Sequence, residues 1–307
     1  MHNQKKVKRL DKNIKKIKMS KNPIQKSGEY LGSWKLNKVH NVDCLKGLKL
    51  IPSESFGVVI TSPPYWGQRD SDGIGSEADP REYIQNLVTI LSETLRCMKK
   101  TGTLWLNIGD SYNTPINWRK EDHTYSSLGK DSKGLPPTNS AYVKNRGKRR
   151  AFIKKDVGWL KYGNLLGIPY RVILGLTDLG YLFRGEVIWE KSRPLPEGRC
   201  RRPHRQHEGI YIITKDESHT FTVKPPIPSI WKLKQTPNDS QHYSTFPLDL
   251  PLQCIKASGV QENEIIFDPF MGSGTTGLAA KTLNQKFLGF EIDSNFCKLA
   301  NKNLIRD

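Results

Sequence analysis

Two kinds of hydrophobic pattern alternate along the chain: short continuous apolar runs, which are typical of buried strands, and apolar residues three or four positions apart, which are typical of amphipathic helices. The short apolar runs 56–60 (FGVVI) and 103–108 (TLWLNI) predict buried parallel strands. Apolar residues three and four positions apart from Arg81 to Met98 predict a helix that ends at Lys99–Gly102. Because strands and helices alternate, we predict an α/β fold with a mostly parallel, twisted sheet and helices on both faces.

Weaker patterns of the same two kinds predict the remaining strands and helices. Two segments that lack a regular pattern interrupt them. Residues 113–162 are polar and basic with no sustained period, which indicates an insertion outside the core. Residues 191–241 are also predicted to be irregular, apart from one strand-like run. We expect strands at 34–39, 186–189, 210–213, 264–267 and 287–290, and helices at 44–50, 169–179, 251–258, 276–283 and from 294 onward.

Positive charge is concentrated in three parts of a chain whose net charge is +19. Residues 1–30 form a lysine-rich N-terminal arm that we expect to be disordered, and further basic clusters occupy 144–155 and 193–205. An excess of this size attracts polyanions, although it could also serve only to keep the protein in solution. The clustering favours a nucleic-acid partner over general solubility.

The sequence also disfavours several classes of protein. No apolar run approaches the roughly 20 residues that span a bilayer, and the N-terminus lacks the apolar core of a secretory signal. The five cysteines lie far apart and form no CxxC pair, so we expect neither a metal site nor a disulfide framework. We therefore expect a cytoplasmic protein with no membrane partner.

A glycine-rich segment, 267–276 (FDPFMGSGTT), follows one predicted strand and precedes a predicted helix. Gly272 and Gly274 let the backbone approach a ligand closely, and Asp268 can accept hydrogen bonds from a cationic group. Glu291 stands at the tip of the next strand, where a carboxylate can bind the hydroxyl pair of a ribose. This arrangement suits an adenosine ligand that carries an amino acid better than a diphosphate. A phosphate-binding loop would need a lysine after the second glycine, where this chain has Thr275, so that interpretation fails. The remaining alternative is a tight turn that serves only packing.

The second candidate segment, 61–66 (TSPPYW), also follows a predicted buried strand. Pro63 and Pro64 fix the backbone and remove two amide donors, which leaves carbonyl oxygens free to accept hydrogen bonds from an amino group. Tyr65 provides a ring that can stack on a flat base. An ordinary Pro-Pro turn with core aromatics is the alternative interpretation.

Together the two segments resemble the catalytic and cofactor motifs of DNA amino-methyltransferases. Their order, catalytic first and cofactor last, resembles the circularly permuted beta class. Residues 102–112 (GTLWLNIGDSY) and 186–191 (EVIWEK) fit the same family, so the resemblance covers most of the chain from Ser33 to Asp307. It implies a Rossmann-like methyltransferase fold in which 31–307 is the catalytic domain.

The resemblance further implies S-adenosyl-L-methionine as the cofactor, held by the glycine-rich segment and by more distant residues. Glu291 would bind the ribose hydroxyls, and Asp43 would lie near the adenine. A segment before the glycine motif, 243–247, is similar to one that cradles the methionine carboxylate. The cofactor-binding residues implied are Asp43, Thr245, Phe246, Asp268, Phe270, Gly272, Gly274, Thr275 and Glu291.

For catalysis, the resemblance assigns the double-proline turn to a target base that is flipped out of the duplex. Ser62 and the carbonyl of Pro63 would accept hydrogen bonds from the exocyclic amino group, within a turn held by Pro64. Tyr65 would stack on the base, and Trp189 would either close the pocket or pack in the core. Because no cysteine lies in this turn, we expect direct in-line transfer with no covalent enzyme–base intermediate.

Ser62 at the first motif position resembles cytosine-N4 enzymes, since adenine-N6 enzymes more often have Asp or Asn there. We therefore favour cytosine N4 as the target and keep adenine N6 as the alternative. Two other activities stay open: a catalytically inactive DNA-binding relative, and methylation of RNA or protein glutamine by a related NPPY loop.

Recognition of double-stranded DNA is expected from the basic segment 191–241, joined by the insertion 113–162. The arginines in the first segment include candidate phosphate contacts and candidate guanine readers. A restriction–modification system, with a cognate endonuclease as partner, would be the setting of such an enzyme. The DNA-binding candidates are Arg193, Arg199, Arg201, Arg202 and Arg205.

Overall fold

A computed structural model describes residues 29–67, 73–113, 161, 163–192, 194, 202–222, 224–233 and 246–305. Several sequence predictions therefore lie outside the described residues. They are the N-terminal arm up to residue 28, most of the insertion 113–162, and the site candidates Arg193, Arg199, Arg201 and Thr245.

The described strands are β1 (Tyr30–Leu31), β2 (Trp34–Lys35), β3 (Lys38–Asn41), β4 (Phe56–Thr61), β5 (Met98–Ile108), β6 (Leu182–Lys191), β7 (His207–Thr214), β8 (Ile230–Leu233), β9 (Ile265–Asp268) and β10 (Lys286–Glu291). Eight of them form one central sheet in the order β3-β10-β9-β4-β5-β7-β6-β8, and β1 and β2 form a separate antiparallel pair. Within the described part of the central sheet, β7 alone runs antiparallel to its neighbours, and the other pairs of strands are parallel.

The helices of the described chain cover both faces of this sheet. They are α1 (Cys44–Leu48), α2 (Pro80–Cys97), α3 (Ile168–Thr177), α4 (Asp249–Ser258), α5 (Thr275–Thr282) and α6 (Ser294–Ile305). One buried cluster joins the sheet to α1, α2 and α3 through residues such as Leu48, Leu87 and Ile173. A second cluster joins the other face to α4, α5 and α6, through Cys254 and Ala300 among others. The predicted α/β architecture is confirmed.

Local chemistry explains why two elements that frame the site form where they do. All six residues of β4 are buried, which matches its uninterrupted apolar sequence. The helix α2 begins after Asp79, whose carboxylate accepts from the Arg81 amide, and Pro80 occupies the first helical turn. Its apolar stripe, including Tyr83 and Leu91, is fully buried. No helix in the described parts of the chain is long and apolar enough to cross a membrane.

Two predictions about the sheet were wrong. The expected strand 34–39 is divided at Asn37, whose φ of 56° lies in the left-handed region, so that β3 begins only at Lys38. The segment 191–241 contains the strand expected at 210–213, which forms part of β7, and it also contains β8, which was not expected. The four residues of β8 alternate between exposed and buried, and so short a pattern gave no signal in the sequence.

Candidate active site

The two candidate segments leave the sheet from neighbouring strands. Because β4 and β9 are parallel and paired, their carboxyl ends lie at the same edge of the sheet. The hydroxyl of Thr61, the last residue of β4, donates to Asp268 Oδ1, in the last residue of β9, over 2.7 Å. The double-proline turn and the glycine loop therefore begin side by side, although 207 positions separate these two residues in the sequence.

Asp268 is 2% exposed and holds the start of the glycine loop. Its carboxylate accepts from Thr61 Oγ1, from the Phe270 amide at 3.0 Å and from Thr276 Oγ1 at 2.7 Å. Burial raises the pKa of Asp268 to about 6, against the lowering effect of these three hydrogen bonds. Three of its roughly four acceptor positions are thus used inside the protein. The geometry shows Asp268 shaping the loop, and leaves one position for a ligand.

The glycine loop needs left-handed backbone at two positions. Gly272 has φ of 54° and Gly274 has φ of 96°, a region that side chains other than glycine rarely adopt. The Met271 amide donates to the Phe290 carbonyl, and the Gly272 amide donates to Glu291 Oε2 at 2.9 Å. The loop is therefore fastened to the end of β10, and α5 begins with Thr275 directly after it.

A cavity of about 560 Å³ opens at this edge, which is a size that suits a small-molecule ligand. Of the predicted cofactor residues, Asp43, Phe270 and Glu291 line it. Gly272, Gly274, Thr275 and Asp268 are not among the residues that line it, and Phe246 packs against the second core cluster. The sequence analysis missed the wall formed by α2 and the loop before it, namely Gly73, Ile74, Ser76, Glu77, Ala78, Glu82, Asn86, Thr89 and Ile90.

Four carboxylic acids line this cavity in a chain with a strongly positive net charge: Asp43, Glu77, Glu82 and Glu291. Such a set attracts a cationic ligand and repels phosphate groups. Glu291 is 3% exposed, and its two oxygens accept from the amides of Gly272 and Asp293, both at 2.9 Å. These bonds orient the carboxylate toward the cavity, and its remaining acceptor positions suit a pair of hydroxyl donors.

The double-proline turn is held from two sides. The hydroxyl of Tyr83, on α2, donates to the Pro64 carbonyl over 2.9 Å. The Pro63 carbonyl accepts no hydrogen bond from the residues that the structure describes, so it can receive a ligand donor. The loop before α2 packs directly on the turn, because a Cβ added at Gly75 would lie 3.0 Å from the Tyr65 carbonyl oxygen. The same loop lines the acidic cavity, so it joins the two halves of the site.

Tyr65 is fixed by contacts at its hydroxyl and at its ring. The hydroxyl donates to Glu208 Oε2, on β7, over 2.8 Å. A Cβ added at Gly109 would lie 2.8 Å from Tyr65 Cε2, so a side chain at that position would displace the ring. Burial first, and then Glu208, raise the pKa of Tyr65 well above its ordinary value. The phenol therefore stays protonated and remains a hydrogen-bond donor. No motif in the sequence pointed to Glu208, and the family-like segment 102–112 contains Gly109 without indicating its contact with Tyr65.

The described DNA-binding candidates, Arg202 and Arg205, lie at the end of β5. Arg205 Nη1 donates to the Asp110 carbonyl, and the guanidinium of Arg202 is 3.8 Å from the centre of the Tyr112 ring. Arg205 is thus committed in part to holding the loop. Trp189 is buried in the second core cluster, which supports its packing role over a place in the pocket wall.

The sheet order, the loop between β9 and α5 and the acid at the end of β10 define a Rossmann-like methyltransferase. Solved structures share the fold. The PvuII DNA methyltransferase (cytosine-N4-specific) superimposes with a TM-score of 0.63 at 18% identity over 90% of each chain. The complex of M1.HpyAVI with S-adenosylmethionine superimposes with a TM-score of 0.52 at 17% identity, over 87% of this chain and 98% of that chain.

Sequence comparison places the chain in a family within this class. The family described as DNA methylase, of N6/N4 methyltransferases, matches residues 56–302. The Type II methyltransferase M.SmaI of Serratia marcescens is 31% identical over 281 residues, which cover 86% of this chain and 89% of that protein. M.XycI of Xanthomonas campestris pv. cyanopsidis is 32% identical over 286 residues, with 86% and 88% covered. The chain belongs to the N6/N4 DNA methylases, a family of S-adenosylmethionine-dependent enzymes, and the resemblance to their beta class is confirmed.

Proposed function

We propose that this DNA methyltransferase moves a methyl group from S-adenosyl-L-methionine to the exocyclic amino group of a flipped base, with cytosine N4 as the target. The observation that carries the proposal is the Thr61–Asp268 hydrogen bond, which puts the double-proline turn beside the glycine loop. A cofactor in the acidic cavity and a base on the turn would then share one cleft.

The cavity suits S-adenosylmethionine by its charge and by its shape. The cofactor carries a sulfonium and an ammonium group and no phosphate. Its positive charges are complementary to the four carboxylates that line the cavity. Glu291 would bind the ribose hydroxyls, and Asp43 would lie near the adenine. Ile292 lines the same cavity with half of its side chain exposed, and it offers an apolar surface to the flat ring. Gly272, Gly274 and the neighbouring residues of the loop would hold the methionine half.

The turn suits an amino group attached to a flat ring. Ser62 Oγ and the Pro63 carbonyl would each accept a hydrogen bond from the amino N–H groups and hold the nitrogen lone pair out of conjugation with the ring. The N–C bond would form as the C–S bond of the sulfonium breaks, and the nitrogen would then lose one proton to solvent. Tyr65 would stack on the base and offset part of the cost of unstacking it from the duplex. S-adenosylmethionine, when bound, supplies an electrophilic methyl group on sulfur. Positioning by the turn is then the main contribution of the protein to the rate.

Cytosine N4 is favoured because the first position of the turn is Ser62. The relative whose printed name gives a base, the PvuII enzyme, is cytosine-N4-specific. Adenine N6 remains the second candidate, since both bases present an amino group beside a ring nitrogen. An inactive DNA-binding relative is disfavoured, because the turn and the acidic cavity are both intact.

DNA binding is assigned to the basic sequence from Arg193 to Arg205, of which the structure describes Arg202, stacked on the Tyr112 ring. Arg205 would position this region rather than read bases, because its guanidinium already holds the Asp110 carbonyl. We place the enzyme in a restriction–modification system with a cognate endonuclease, as the Type II designation of its relatives suggests. The cytoplasm, where the host DNA lies, is the proposed location.

The test is to identify the modified nucleoside. Duplex DNA of random sequence is incubated with the protein and S-adenosylmethionine, digested to nucleosides and analysed by mass spectrometry, with RNA and total protein as parallel substrates. We expect N4-methylcytosine in DNA, and none with Ser62→Ala. N6-methyladenine would move the assignment to the second candidate. 5-Methylcytosine in DNA, or methylation found only in RNA or protein, would contradict the proposal.

A further inference from the structure

Glu208 makes a side-chain contact with the double-proline turn from outside every motif that the sequence analysis identified. It lies on β7, the antiparallel strand, whose first residues reach the same sheet edge as the ends of β5 and β6. Its side chain is 12% exposed. The carboxylate accepts from the Tyr65 hydroxyl at 2.8 Å and from Asn107 Nδ2 at 3.4 Å, and it forms an ion pair with Lys191.

The partners of Glu208 come from two flanking strands. Asn107 is on β5 and Lys191 is on β6, so the carboxylate is held by the sheet rather than by a loop. Lys191 compensates the charge of the Glu208 carboxylate, which is largely removed from water, and Tyr65 and Asn107 donate to it. The carboxylate oxygen that faces Tyr65 is therefore a fixed hydrogen-bond acceptor.

We propose that Glu208 is a positioning residue for the target base, acting through the hydroxyl of Tyr65. The inference rests on the proposed function, in which the ring of Tyr65 stacks on the flipped base. With its hydroxyl anchored to Glu208 and its ring edge against Gly109, Tyr65 has its plane set before DNA arrives. The ion pair with Lys191 holds the Glu208 carboxylate in place within this arrangement.

An anchor of this kind affects some steps and leaves others unchanged. A ring that is free to tilt would still permit binding of the cofactor in the acidic cavity, which Glu208 does not line. The same ring would stack less well on the base and would hold the amino group less accurately for transfer. Misplacement by about 1 Å can cost roughly a hundredfold in rate, so the defect should be large in kcat.

The experiment compares Glu208→Ala and Glu208→Gln with a matched control, Glu190→Ala. Glu190 is a neighbouring glutamate on β6 whose ion pair, with Lys232 at 3.5 Å, is exposed to solvent. Three quantities are measured: cofactor Kd, single-turnover methyl transfer, and fluorescence of 2-aminopurine in a duplex without cofactor. The 2-aminopurine replaces the base that the wild-type enzyme methylates, after that position has been mapped by sequencing methylated DNA.

We expect Glu208→Ala to lower the transfer rate about a hundredfold and to reduce the fluorescence rise on binding, with cofactor Kd unchanged. Glu208→Gln keeps an acceptor for the Tyr65 hydroxyl and should lose only about tenfold. Glu190→Ala should match the wild type. In a Tyr65→Phe background, Glu208→Ala should add little further loss, because the hydroxyl through which it acts is absent.

Wild-type transfer and fluorescence in Glu208→Ala would overturn the inference. It would also be overturned if Glu208→Ala caused the same loss of transfer in the wild-type and Tyr65→Phe backgrounds. If Glu208→Ala does not fold, Tyr65→Phe and Glu208→Gln decide, since wild-type transfer in both would overturn it equally. Failure of the proposed function would look different, because Tyr65→Ala would then transfer methyl groups normally.

Discussion

Thr61 and Asp268 are the last residues of two adjacent parallel strands, and the hydroxyl of the first donates to the carboxylate of the second over 2.7 Å. This contact brings two motifs that are far apart in the chain to the same edge of the sheet. Strand neighbours in a parallel sheet are set by the sheet order and not by the chain order, so a permuted sequence can still build the same cleft. It also places Asp268 where its ionisation is costly.

The raised pKa of Asp268 predicts a pH-dependent difference between the wild type and Asp268→Asn. The folded state holds this proton up to about pH 6, against an ordinary pKa of 3.8. Between these values the unfolded chain loses the proton first, so the wild type loses stability as pH rises, by about 3 kcal/mol in total. The asparagine variant lacks this loss.

Urea unfolding at pH 4, 5, 6 and 7 measures the effect. The free energy of unfolding of Asp268→Asn relative to the wild type should increase with pH and level off above about pH 6. A difference that is the same at every pH would show that burial does not raise this pKa.

The two glycines of the loop should respond differently to alanine. Gly272 has φ of 54° and no crowded neighbour, so Gly272→Ala should cost only about 1–2 kcal/mol of stability. Gly274 has φ of 96°, and a Cβ there would lie 3.2 Å from Ala300 Cβ, so Gly274→Ala should unfold at clearly lower urea concentration. Because Gly272 belongs to the loop proposed to hold the methionine half, and its added methyl would meet only Phe270 O at 3.9 Å, the main defect of Gly272→Ala should be in S-adenosylmethionine affinity, measured by calorimetry. Wild-type affinity in that variant would place the methionine half elsewhere.

Gly109→Ala tests the ring position of Tyr65 without altering Tyr65 itself. The added methyl would come within 2.8 Å of Tyr65 Cε2 and must push the ring away. We expect methyl transfer to fall about tenfold to a hundredfold while cofactor affinity is retained. Gly185→Ala is the matched control, because nothing lies within 4 Å of its Cβ position. Equal transfer rates in the two variants would show that the ring position does not matter.

The strands that carry the site were predictable because each is a continuous apolar run that is buried on both faces, as in β4 and β9. The same pattern located the two loops that follow them. The break at Asn37 was not predictable, since a left-handed residue inside an alternating stretch leaves no periodic signal. The strand β8 was missed for a related reason: four residues are too few to establish a period.

The site residues that were missed share a different property. Glu208 is one acid among many in the sequence, and only the register between β5, β6 and β7 brings it to Tyr65. Glu77 and Ile74 reach the cavity because the loop before α2 folds back over the double-proline turn at Gly75. Contacts of this kind depend on three-dimensional neighbours that no local pattern encodes.

The most direct test of the central claim separates cofactor binding from methyl transfer at the turn. Ser62→Ala and Tyr65→Ala are each titrated with S-adenosylmethionine by calorimetry and then assayed for transfer of labelled methyl groups to duplex DNA. The account predicts wild-type cofactor affinity in both variants and a loss of transfer of at least about a hundredfold. Full transfer by both variants would contradict it, because the double-proline turn would then not be the place where the base reacts.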